Sequence, residues 1–376
     1  VIDREATTMQ KLHYHAQVIW GCMTKEIQTA LAERGAAVSQ IFRALFFLAI
    51  MSYLAIGGGI APTAVVMNDT GPYARQFYNA LANAYSFRLQ TASAQEAQNL
   101  IEAGKIVAVV TIPADFDTRL QQNQPVQVPV TIDNLNTDFT NDIRRAVPLS
   151  ITLFYGKAFP QVVTVTPQEH DFYPQDTGYF PYLVVSALVV ALMVLGLSTS
   201  GESAAREWEN GTIKEFLLSP ANRFAVVIGK MLGAFLIGLV PLAVLLIVIV
   251  AVGVPPLHWG EAIGFSLLTL LIFVAFGNLM GTLLKKRLTT ILLAYGAVLP
   301  IFAISGPFGP ISFQTRITQV IAQLFPPYYA IVLQQHAFHN FTLNTLGLGL
   351  NTAILCIYAV GLVVLAALAL RRHTAN

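Results

Sequence analysis

The residues best suited to do chemistry crowd into one segment, Gly201–Pro220, which reads GESAAREWENGTIKEFLLSP. Glu202, Arg206, Glu207 and Glu209 follow directly on a long apolar run, so the chain is expected to enter a wet environment there. Asn210-Gly211-Thr212 then interrupts, because glycine takes up a turn conformation that other residues resist. Ile213–Leu218 resumes a helical pattern, and Ser219-Pro220 stops it. A short polar helix between two stiff turns suits docking onto a soluble partner; its spacing fits an ordinary connector equally well. His336 and His339 could share one helix face, but no third ligand is near and zinc takes three or four; a polar helix in an outer loop is expected instead. Asn134, Asn136 and Asp138 lack the glycine and final glutamate of a calcium loop and read as a solvated turn. No Gly-x-x-x-x-Gly-Lys-Ser/Thr occurs, so ATP phosphates find no cradle of the usual kind. Gly57-Gly58-Gly59 has neither a preceding strand nor a following lysine.

The elements that must position these residues are set by a bilayer. Only 11% of the 376 residues are charged, against about 25% in soluble domains. Net charge is +2, which gives no hint of nucleic-acid binding, and Cys22 and Cys356 make neither a disulfide framework nor a metal cluster. The first forty residues lack the pattern of a cleaved signal peptide, so the first span is expected to serve as the membrane entry. Crossing the hydrocarbon takes roughly 20 apolar residues, and six stretches are expected to do so: 44–61, 179–199, 231–254, 262–284, 290–305 and 346–370. Gly229/Gly233 and Gly277/Gly281 would let helices approach closely. Arg43, Lys230 and Glu261 fall at span edges. With no ionisable residue expected in mid-span, an ion-coupled carrier is disfavoured. Lys and Arg gather at 1–43, at 206–230, at Lys285-Lys286-Arg287 and at Arg371-Arg372, which predicts both termini to be cytoplasmic.

Residues 1–43 hold an amphipathic stretch. Ile19, Met23, Ile27 and Leu31 form a stripe, with Lys25, Glu26 and Glu33 turned away. Such a helix lies in the membrane interface or packs on a partner. Residues 62–176 read as an extracytoplasmic α/β domain: strands at 63–67, 105–112 and 126–132, a helix with the stripe Tyr73, Phe77, Leu81, Tyr85, a second helix over 94–103 capped by Gly104, a short helix opened by Pro113, and a long helix from about Asn141. Residues 177–376 read as a five-helix transmembrane region, with the cytoplasmic segment 201–220 inside it.

Glu207-Trp208-Glu209-Asn210-Gly211-Thr212 followed by Leu217-Leu218-Ser219-Pro220 resembles the hallmark of type 2 ABC exporter permeases, and Lys230 is similar to that family's lysine at the start of the next span. The layout of one span, a large outer domain and five further spans resembles the multidrug-efflux branch. Ile112-Pro113-Ala114-Asp115-Phe116 is similar to its Ile-Pro-Pro-x-Phe, with Ala114 departing from the second proline; Asp133–Asn136 and residues 306–340 resemble its outer turn and outer hairpin. The resemblance implies a polytopic permease of the bacterial inner membrane, driven by a separate ABC ATPase subunit that carries ATP and magnesium, with no cofactor on this chain. It implies a second permease chain, identical or different, and allows a periplasmic adaptor protein and an outer-membrane channel. It also implies that Glu202, Arg206, Glu207, Glu209, Gly211, Thr212, Ser219 and Pro220 form the ATPase-coupling contact, with Glu207 on a solvent-facing turn. Tyr53, Phe180, Tyr182, Phe273, Phe276 and Tyr295 would suit an amphipathic, lipid-like or drug-like substrate, although aromatics at such positions also simply pack. The rival reading is a non-transport envelope scaffold or receptor with a large outer domain.

Overall fold

The computed structural model describes residues 2–57, 61–84, 87–133, 137–159, 179–219 and 221–372. Two compact units share the chain, one of residues 1–55 and 175–376, the other of residues 56–174.

The smaller unit is built on β1 (Ala61–Met67), β2 (Phe87–Thr91), β3 (Ala108–Ile112) and β4 (Val130–Ile132), in the order β2-β1-β3-β4. β1 runs parallel to both β2 and β3, and β4 is antiparallel to β3. Parallel neighbours need crossovers; α3 (Pro72–Ala82) and α4 (Ala94–Glu102) supply them, while α5 (Phe116–Gln121) and the long α6 (Thr137–Ala158) follow β3 and β4. Side chains alternate across β1: Ala61 and Val65 join Phe77, Phe116, Ile143 and Phe154 on one face, while Ala64 and Val66 meet Ala97 and Ile106 on the other. With both faces covered, the strand reads as a nearly continuous apolar run. Gly104 takes φ +64° just past α4, as its position in the sequence suggests. β2 is absent from the sequence reading because it is an edge strand, FRLQT, with only Phe87 buried. Asn134 and Asn136 lie outside the described residues.

The larger unit comprises α1 (Ile2–Ala32), α2 (Arg34–Gly57, up to residue 55), α7 (Tyr179–Glu209), α8 (Ile213–Leu218), α9 (Arg223–Ala251), α10 (Trp259–Leu284), α11 (Arg287–Ile304), α12 (Arg316–Ala322), α13 (Pro326–His339) and α14 (Leu348–Arg372). Among the described residues, α7, α9, α10, α11 and α14 are long and apolar enough to cross a bilayer, and the apolar part of α2, Val38–Leu54, is shorter. The first expected span is therefore displaced: Ala61, its expected end, opens β1. Every residue from 182 to 201 is buried, which makes α7 the axis of the bundle. By contrast Val240 and Ile247 of α9, Leu288 and Leu292 of α11, and Ile357 and Val360 of α14 are exposed. Apolar side chains turned outward in long helices are what a hydrocarbon solvent requires.

Glycine sets how closely α7 is packed. A Cβ on Gly196 would come within 2.7 Å of the Phe273 backbone, and one on Gly277 within 2.8 Å of the Leu197 carbonyl oxygen. Gly229 and Gly233 do the same for α1 on α9, where added Cβ atoms would meet the Ile19 carbonyl oxygen and the Glu26 Cβ at 2.6 Å. These seats turn α1 differently from the sequence expectation. Cys22 and Glu26 face α9 and are buried, whereas Leu31, expected on the apolar stripe, is exposed.

Candidate functional site: a charged elbow at the end of the central helix

α7 does not stop where its apolar run stops. It continues as helix through Ser198–Gly201 and carries Glu202, Arg206, Glu207 and Glu209 on its last two turns. Asn210 ends it, and the Gly211 amide donates back to the Trp208 carbonyl at 3.3 Å. Gly211 sits at φ +73°, in the left-handed region that a β-branched residue resists. Thr212 then occupies the N-cap position of α8, and Ser219 closes that helix, its hydroxyl accepting from the Ala221 amide at 3.2 Å. Arg223, at the start of α9, braces the far side by donating to the carbonyls of Phe216, Ser219 and Ala221. Pro220 lies outside the described residues.

Each charge on the last turns of α7 is matched from another helix. Glu202 accepts from Arg43 of α2 and, at 3.1 Å, from Arg287 of α11. Arg206 reaches Glu33 just past α1 at 2.7 Å. Glu209 accepts from the Arg287 backbone amide at 2.9 Å and so caps α11. Trp208 lies under the Lys285 ammonium, 4.5 Å away, and Phe216 under Lys25, at 4.7 Å.

Glu207 corrects the sequence expectation. It is buried, not on a solvent-facing turn; its carboxylate binds Lys230 of α9 and, at 2.5 Å, Lys25 of α1. Glu26 stands 3.9 Å from the same Lys230 and accepts from the Ser203 hydroxyl at 2.6 Å. Lys230 lies within α9, which begins at Arg223, and is likewise buried. Lys230, Glu26 and Glu207 are buried and Lys25 reaches in from the exposed side of α1, so two positive charges balance two negative ones. Only a balanced set of this kind tolerates withdrawal from water, since a lone buried ion costs several kcal/mol. The partners of Glu207 lie far off in sequence or on another helix, which is why spacing within 201–220 does not reveal them.

Once the inner charges are matched, Lys214, Glu215 and Leu218 of α8 remain exposed beside Glu209 and Asn210. Leu218 is 86% exposed, an unusual place for a leucine at a charged end. The signal was present in the sequence as an apolar residue in the last turn of a polar helix.

The expected substrate-path aromatics are not brought to one surface. Phe273 and Phe276 of α10 line an apolar cavity of about 220 Å³, with Val298, Pro326 and Tyr358 opposite. Tyr295 of α11 stacks on Phe47 at 6.1 Å and receives Arg43 at 3.5 Å. Tyr182 is buried and donates to the Gly306 carbonyl at 3.1 Å; Phe180 packs against the core, and Tyr53 is exposed.

Sequence reasoning missed the role of α13. Expected as a polar outer-loop helix, it is buried from Pro327 to Gln335. Gln334 donates to the Ser266 hydroxyl of α10 at 2.9 Å, and Gln335 to the Tyr182 carbonyl and Ser186 hydroxyl of α7 at 2.8 and 3.2 Å. His339 contacts Gln335 at 2.8 Å, and His336 lies 3.5 Å from the Glu261 carboxylate. The only advance signal was two adjacent glutamines amid apolar residues.

Comparison with known proteins agrees with this architecture. The chain resembles the probable multidrug ABC transporter permease YbhR of Escherichia coli, 24% identical over 312 residues that cover 78% of this chain and 82% of the relative. It resembles the inner membrane transport permease YhhJ of Escherichia coli at 23% over 340 residues, covering 85% and 88%. A third relative, the probable multidrug ABC transporter permease YbhS of that species, is 23% identical over 255 residues, covering 65% and 67%. Residues 38–368 match the family described as ABC-2 family transporter protein, and with that match extending over most of its length this polytopic membrane chain belongs to the ABC-2 transporter family.

Proposed function

We propose that this chain is the membrane-spanning permease of an ATP-driven exporter in the bacterial inner membrane, and that α8 with the end of α7 is where the ATPase subunit pushes. Membership of the ABC-2 family implies an ABC ATPase partner, and the missing phosphate loop supports a reading in which that partner carries ATP and magnesium and hydrolyses the ATP. The observation that carries the coupling reading is the braced elbow. Lys214, Glu215 and Leu218 face outward from a six-residue helix whose ends are held by Gly211 and Arg223. A force on α8 would pass into α7 through the elbow, and α7 is locked to α10 by glycine contacts too close to slip without repacking.

The charge pattern supports cytoplasmic termini and elbow, with the unit of residues 56–174 outside. Counting α2 as the first crossing gives six spans. Two such permeases, identical or different, would pair around a path for an amphipathic, lipid-like or drug-like substrate, and the cavity beside Phe273 and Phe276 is the best-formed candidate along it. A periplasmic adaptor and outer-membrane channel would extend the same line. The E. coli relatives carry "multidrug" in two of the three names, which favours transport over an envelope scaffold.

The test is Gly211→Val. A β-branched residue resists φ +73°, so α8 should be misdirected while the bundle stays intact. The expected result is normal membrane insertion with transport and substrate-stimulated ATPase activity lost. Full transport by this variant would reduce the segment to a connector. Cysteine labelling at Arg88 from outside, and at Lys286 only after permeabilisation, checks the orientation independently.

A further inference from the structure

Two chambers meet between α1, α2 and α9. One is an apolar groove of about 350 Å³ lined by Ile27, Leu31, Ile41, Leu236 and Val240. The other is a small polar chamber of about 50 Å³ bordered by Glu26, Glu33, Glu202, Arg206 and Arg287. Ala30, Gln40 and Ile237 belong to both walls, so the apolar and polar spaces adjoin. The groove falls within the size range of small-ligand sites, and its rim residues Leu31 and Val240 are exposed, at 70% and 61%.

Two acceptors stand at the shared wall. Gln40 Oε1 is shielded from solvent and has no hydrogen-bond donor. Ile237 lies four residues before Pro241 in α9, and proline has no N–H to give to the carbonyl at that position. Gln40 Oε1, unmet and withdrawn from water, costs about 1–3 kcal/mol, so a bound donor would be favoured here. The carboxylates of the polar chamber already have counter-charges, Glu202 in Arg43 and Arg287, Glu33 in Arg206 and Glu26 in Lys230, so the unmet need at the shared wall is for a hydrogen-bond donor.

We propose that this site holds one membrane phospholipid with a primary-ammonium head, one acyl chain lying in the groove and the ammonium at Gln40 and Ile237. A primary ammonium carries three N–H donors. A trimethylammonium head carries none, and the hydroxyls of a glycerol head donate without the charge assistance that roughly doubles the strength of an ammonium's hydrogen bond. The lipid would join α1 to α2 and α9 in the interface, separately from the elbow and from the cavity beside Phe273.

The full chain is purified from membranes in mild detergent and its retained lipid is quantified by native mass spectrometry, then again after exchange into nanodiscs of equimolar phosphatidylethanolamine, phosphatidylcholine and phosphatidylglycerol. About one phosphatidylethanolamine per chain should survive washing, preferred over the other two on the order of tenfold, the worth of one hydrogen bond to a charged group. Gln40→Leu keeps the size and leaves α2 able to fold; it should reduce that preference to near parity. Val240→Trp, at the exposed rim, should crowd the groove and lower the number of lipids retained. Equal retention of the three lipids by the wild-type chain, or an undiminished preference in Gln40→Leu, overturns the proposal.

Discussion

The two ends of α7 solve the same problem with different chemistry. At its Tyr182 end, polar groups meet across helices as neutral amides and hydroxyls: Gln335 with Ser186, Gln334 with Ser266, Tyr182 with a carbonyl. At its Glu207 end, full charges from α1, α2, α9 and α11 meet in matched sets. A neutral hydrogen bond leaves little to repay when it is buried, so an amide network can sit deep in the bundle. A charge set stays whole only while every member has its counter-charge. The amide end should therefore behave as a rigid pivot, and the charged end as the place where loss of one partner is felt by several helices.

The largest effect should come from Glu207→Lys. It would put a third positive charge beside Lys25 and Lys230, both bound to Glu207. Removing one member of a buried pair costs about 3–5 kcal/mol, and reversal should exceed that, so little folded chain is expected by thermal unfolding in detergent. Glu207→Gln with Lys230→Met should recover part of the loss, because it removes the directly bound buried pair together and leaves Glu26 with the Ser203 hydroxyl. If Glu207→Lys folds normally, the charge quartet around Glu207 is not what holds the charged end.

Next in size is Gly277→Val on α10. Its side chain would drive into the Leu197 backbone of α7, and overpacking costs about 1–3 kcal/mol. Thermal unfolding should fall accordingly, with ATPase docking retained by the fraction that folds. A variant as stable as the wild type would mean α7 and α10 can slide, contrary to the rigid link proposed for them.

At the amide end, Gln335→Leu removes the donor to the Tyr182 carbonyl and Ser186. About 1–3 kcal/mol is expected, for acceptors left unmet. A loss as large as that of Glu207→Lys would erase the distinction between the two ends.

The smallest effect is expected outside the bundle. Asp69 accepts from the amides of Asp117 and Gly71 at 2.9 Å, and these backbone donors, Asp117 first, hold its carboxyl below the usual range. Asp117 in turn accepts from the amides of Tyr73 and Ala74 at the start of α3, so the two aspartates tie α3 to α5. A depressed folded pKa means that Asp69 contributes fully above the unfolded value of about 3.9, and that its contribution is lost as pH falls through the folded value. Protection of the Asp117 amide, its hydrogen exchange measured against the unprotected rate at the same pH, should fall below about pH 4, and Asp69→Asn should flatten that dependence. Protection that does not change with pH in the wild-type chain would show that Asp69 contributes nothing to this junction.

Much of this was legible in the sequence because it depends on near neighbours. Apolar runs mark five long helices, Gly104 marks the end of α4, and Asn210-Gly211-Thr212 marks the elbow, each through the local backbone. What was illegible depends on distant partners. Glu207 looked solvated because nothing near it in the chain announces Lys25, and Glu26 looked outward because its seat is made by Gly233 of α9. α13 looked like an outer loop because its glutamines find Ser186 and Ser266 on helices remote in sequence. The aromatic residues could be placed on helices but not gathered into a path, since rotation about each helix axis is decided by packing.

The most direct measurement of the coupling reading is site-specific photocrosslinking in the intact transporter. A photoreactive phenylalanine analogue placed at Leu218, which is exposed on α8, should form an adduct with the ATPase subunit that intensifies or shifts between nucleotide-free and ATP-bound states. The same probe at Trp259, exposed at the opposite end of α10, should form none. An ATPase adduct from Trp259, or none from Leu218 in a complex that still transports, would contradict the placement of the coupling contact on the elbow.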